Sequence, residues 1–135
     1  MDPGTGKTWA TAPDNDASDV DAAVEAAHTA FLSFRKVVPR QRARWLLKWD
    51  ELIRENMDDL AQIVTYETGK PLAEARGEIE YSLGFTWWFT GEAERIQGTV
   101  QQAAAPGKRI FTVKQPIGVI MYKTYYKGFD VDCFP

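Results

Sequence analysis

The residues most able to do chemistry at the start of the chain are Gly6-Lys7-Thr8, which look like the end of a phosphate-binding loop. That loop needs a glycine five positions before Gly6, at the end of a strand, so that successive backbone N–H groups can cradle phosphate oxygens. The position is Met1. A tight turn at Pro3-Gly4 followed by a short strand, Lys7 to Ala12, is expected instead. His28 is the single histidine and lies beside the apolar stripe of the first helix, the place of a surface or packing residue rather than a ligand. Cys133 is the single cysteine, which rules out an internal disulfide and a cysteine-based metal cluster. Arg40, Arg42, Arg44 and Lys48 form a basic cluster, but Asp50, Glu51 and Glu55 follow closely, which is the pattern of a solvated helix face.

These residues sit in a chain of 135 residues with net charge −3, long enough for at most one domain. Neither a basic block for nucleic acid nor an apolar run long enough for a membrane span is present. The opening MDPGTGKTWATAPD is no signal peptide, so an intracellular location is expected, cytoplasmic by default and with a mitochondrial one left open. Five Trp and seven Phe exceed the needs of a small helical bundle and point to apolar faces meant for something outside this chain.

Helical elements must position all of this. Ser18, with Asp21 behind it, is expected to cap a first helix whose stripe is Val20, Ala23, Val24, Ala27, Ala30, Phe31 and Phe34. Pro39 opens a second helix with Trp45, Leu46, Trp49, Leu52 and Ile53 on one face. Asn56 is expected to cap a short continuation that ends at Gly69. Gly69-Lys70-Pro71 then reads as a corner, the glycine taking the left-handed conformation and the proline starting the next helix. The third and longest helix is expected from Pro71 to about Gln97, closed by Gly98. Gly77, Gly84 and Gly91 recur in it every seven residues, and Phe85, Trp87, Trp88 and Phe89 make its middle apolar almost all round. Residues 101–107 read as a loop and Lys108 to Ile120 as a strand, with Pro116 at an edge or break. The chain is thus expected to be mostly α: three long helices, a short N-terminal strand and a C-terminal β segment.

ETGKPLAEARGEIEYS, then GFTWWFTGEAERIQG and VKQPIGVI, resemble the N-terminal part of the aldehyde dehydrogenases, most closely those acting on succinate semialdehyde. The resemblance runs from about Asp2 to Ile120 and implies an α/β fold. It makes residues 1–107 the N-terminal helical part of the cofactor-binding domain and 108–120 a strand similar to the family's oligomerisation β segment. Residues 121–135 are a divergent tail expected to lack structure. The family's reaction is NAD- or NADP-dependent oxidation of an aldehyde through a covalent thiohemiacetal. It needs a thiolate, a carboxylate that activates water, an amide for the oxyanion and a dinucleotide seat. After Ile120 this chain reads MYKTYYKGFDVDCFP, not the family's T-P-W-N-F-P, so neither the amide role nor the nucleophile role is carried onto Cys133. The resemblance assigns no catalytic, metal or cofactor-binding residue, and no cofactor bound by this chain alone is expected. By position on the long helix, Ser82 and Phe85 are candidates for the substrate tunnel.

The expected function follows: the N-terminal fragment of a succinate-semialdehyde dehydrogenase-like oxidoreductase, inactive as this chain and marginally stable, from a truncated or mis-spliced gene model, with a natural short protein as the second choice. The alternative is a non-catalytic interaction protein. It would dock on a full-length homologue, or on itself, through its helices and the edge of Lys108 to Ile120.

Overall fold

The computed structural model describes residues 1–121. Their elements are α1 (Ala17–Phe34), α2 (Pro39–Glu55), α3 (Met57–Thr68), α4 (Leu72–Glu92), β1 (Thr99–Gln102) and β2 (Arg109–Thr112). Among the described residues two compact units are formed: Met1–Asp14 with Lys36–Gln115, and Asn15–Arg35 with residues 116–121. In the second unit α1 is capped by Asp16, two residues earlier than expected. The Asp16 carboxylate accepts the Ser18 N–H at 2.7 Å and the Asp19 N–H at 3.4 Å, and Asp19 accepts the Asp16 N–H at 2.9 Å. Asp16, not Ser18, takes the cap because its carboxylate accepts several donors at once, the Ser18 hydroxyl among them. Those hydrogen bonds, led by the Ser18 hydroxyl, hold the Asp16 carboxyl below its usual range.

The first unit is built around α4, which packs on both α2 and α3. Pro39 occupies the first turn of α2 as expected. The break at Asn56 works differently from a cap on α3. Its side-chain amide donates back to the Leu52 carbonyl at 2.8 Å, closing α2, and α3 starts at the next residue without a side-chain cap. Gly69 ends α3 at φ 75°, its N–H on the Thr65 carbonyl at 2.8 Å. A Cβ there would lie 2.9 Å from Pro3 Cγ, so the opening turn rests directly on this corner. Lys70 ion-pairs with Glu78, and Pro71 is extended and serves as the N-cap of α4 rather than its first residue.

Lys7 to Ala12 is not a strand. No other strand lies beside it among the described residues, and the segment is held instead by Trp9 against Tyr66, ring centroids 5.6 Å apart. The long helix ends at Glu92, about a turn before Gln97, so Gly98 does not close it. The C-terminal β structure is a two-stranded antiparallel ribbon pairing Thr99 with Thr112 and Gln102 with Arg109. Strand β1 falls partly where a loop was expected. Of Lys108 to Ile120 only Arg109–Thr112 is paired, because β1 offers just four residues to pair with.

The core is narrow. Ala61, Ala75 and Ile79 are buried with Ile53, Met57, Leu60 and Val64 packed around them, and Leu83 is 1% exposed one turn further along α4. Alanine at both Ala61 and Ala75 lets α3 and α4 approach closely, at the cost of little buried hydrocarbon. Trp45, Trp49 and Leu52, expected on the inner stripe of α2, are about half exposed. Leu46 and Ile53 of that expected stripe are half-buried, and Asp50 joins them on the inner face.

Asp50 is turned in by a specific partner. The buried Thr86 hydroxyl donates to Asp50 Oδ1 at 2.6 Å, and Arg54 Nε donates to Oδ2 at 2.7 Å. The Thr86 bond first, then Arg54, holds the Asp50 carboxyl below its ordinary 3.8. A group lowered in the folded state stabilises above its unfolded value and loses that contribution as pH falls through the folded one. Asp50→Asn should therefore cost about 1–2 kcal/mol near neutral pH, with the gap to the parent shrinking below about pH 4. Thermal melts from neutral to acidic pH check this, and a gap constant with pH would refute it.

Candidate functional site

The 3.6-residue period turns Ala75, Ile79, Leu83 and Thr86 of α4 inward, which leaves another face to solvent. On that face Tyr81, Gly84, Phe85, Trp88 and Phe89 line an open depression of about 460 Å³. Tyr81 and Phe85 meet edge to face, centroids 5.3 Å apart at 89°, an arrangement that matches ring edge to ring face. Gly84 makes the floor, and a Cβ there would meet nothing within 4 Å.

The two sequence candidates part company here. Phe85 lies in the depression. Ser82 does not line it, and its hydroxyl donates to the Ile79 carbonyl at 2.7 Å, within its own helix. Tyr81, Gly84, Trp88 and Phe89 were not singled out as site residues. Their signal was present in YSLGFTWWF, where residues 81, 84, 85, 88 and 89 fall at the spacing of one helix face. The lining carries no carboxylate, thiol, amine or imidazole, and its polar groups are the Tyr81 hydroxyl and the Trp88 indole N–H, so it is suited to shape and desolvate an apolar ligand or surface.

The other chemical candidates resolve into structure. Around Gly6-Lys7-Thr8, Asp2 takes the donors a phosphate would need. Its carboxylate accepts the Gly4 N–H at 2.8 Å and the Thr5 hydroxyl at 2.6 Å, and its N–H reaches the Lys7 carbonyl at 2.8 Å. These bonds, the Thr5 hydroxyl first, hold the Asp2 carboxyl below its usual range. Arg40 pairs with Glu94 at 2.7 Å and Lys48 with Glu51 at 3.0 Å, as a solvated face requires. His28 is exposed on α1, and no cluster of three or more His, Cys, Asp or Glu is placed to hold a metal among the described residues. Cys133 lies outside them.

A nicotinamide dinucleotide does not fit these residues. Its usual seat is a parallel strand running through a glycine turn into a helix N-terminus. Here the described strands are antiparallel and both follow α4. Among the described residues no helix of the chain is long and apolar enough to cross a membrane.

Comparison with known proteins places this arrangement. Residues 1–123 match the model of the aldehyde dehydrogenase family. The chain is 41% identical over 119 residues to the succinate-semialdehyde dehydrogenase [NADP(+)] of Saccharomyces cerevisiae, covering 88% of this chain and 24% of that one. It is 45% identical over 117 residues to the glutarate-semialdehyde dehydrogenase of Pseudomonas aeruginosa, covering 87% and 24%. The crystal structure of succinate-semialdehyde dehydrogenase from Burkholderia pseudomallei superposes with a TM-score of 0.82 at 43% identity, over 87% of this chain and 24% of that one. The chain thus spans about a quarter of the length of these relatives, in their N-terminal part. Its helices and short antiparallel ribbon superpose on that part, and the chain belongs to the aldehyde dehydrogenase family.

Proposed function

We propose that residues 1–120 are the N-terminal scaffold of the cofactor-binding domain of an NAD- or NADP-dependent dehydrogenase. Its reaction oxidises a short aldehyde that already carries a carboxylate. The observation that carries this is the 43% identity and 0.82 TM-score to a succinate-semialdehyde dehydrogenase. The glutarate-semialdehyde relative widens the substrate class by one methylene, which an apolar wall discriminates only weakly. Phe85 borders the path of the substrate, and thiolate, carboxylate and dinucleotide seat come from sequence that other members of the family carry further on. An intracellular location goes with dependence on the cell's nicotinamide pool. Subunit contact falls on Lys108 to Ile120, where Phe111 is 70% exposed on a ribbon with unpaired edges.

The test is a chimera in which residues 1–120 replace the corresponding part of the yeast enzyme. It should reduce NADP with succinate semialdehyde, whereas the 135-residue chain alone should not. Phe85→Ala in the chimera should raise KM by about tenfold, the value of roughly one lost apolar contact, and leave kcat nearly unchanged. A folded chimera without activity, or turnover by the chain alone, would overturn the proposal.

A further inference from the structure

We draw no further inference here: the strongest candidate, the exposed ribbon of β1 and β2, basic at Lys108, Arg109 and Lys114 with no acidic residue in 99–115, belongs to the subunit contact already proposed, and nothing in the structure shows what surface covers it.

Discussion

Leu83→Ala should destabilise the helical unit by about 3 kcal/mol, within the 2–5 kcal/mol that emptying a buried leucine site costs. Leu83 is 1% exposed and is the largest fully buried side chain. It stands between Ile79, which belongs to the α3–α4 cluster, and Thr86, whose hydroxyl holds Asp50 of α2. A stability of 5–15 kcal/mol is normal for a whole domain, so the loss is a large share, and the midpoint should fall by on the order of 15 °C. Leu83→Met, which keeps the volume, should cost less than about 1.5 kcal/mol. Tyr81→Ala on the outward face should stay within about 0.5 kcal/mol. Thermal melts of the three variants decide the matter, and a Leu83→Ala midpoint within a few degrees of the parent would sink it.

Gly98→Ala should unpair the base of the ribbon at a cost of about 3 kcal/mol, the upper end for forcing an extra methyl into a filled space. A Cβ on Gly98 would stand 1.9 Å from the Thr112 carbonyl oxygen and 3.0 Å from its carbon, and both are backbone atoms that cannot move without moving the strand. The same end is tied by the Thr99 N–H on Thr112 Oγ1 at 2.8 Å and by the two hydroxyls at 2.6 Å. The ribbon has only four residue pairs, so losing the Thr99–Thr112 pair removes a large part of its register. Hydrogen exchange should show protection lost across 99–102 and 109–112 while α2 to α4 keep theirs. Protection of both strands at the parent level would count against it.

Where the sequence was legible, a single residue enforced the outcome whatever lay around it. Pro39 can only open a helix, and Gly69 can turn left-handed without penalty, so those two boundaries were readable. Phe85 was named from the family resemblance, and helical spacing sets it on one face with Tyr81, Trp88 and Phe89. What escaped depended on a partner far along the chain. Asp50 faces inward only because Thr86, 36 residues away, offers a hydroxyl, and no pattern on α2 predicts a carboxylate there. Gly98 follows the long helix as a stop would, yet its lack of a side chain serves the approach of Thr112. Lys7 to Ala12 has strand composition, but a strand needs a neighbour to pair with, and Trp9 meets Tyr66 of α3 instead. Ser82 missed the depression because a hydroxyl on a helix can turn back to its own backbone.

The alanine contact between α3 and α4 has a thermodynamic consequence of its own. Ala61 and Ala75 bring two backbones together, so opening that contact wets peptide groups more than hydrocarbon. Apolar exposure raises the heat capacity of unfolding and peptide exposure lowers it. The free energy of this unit should therefore change with temperature along a shallow curve.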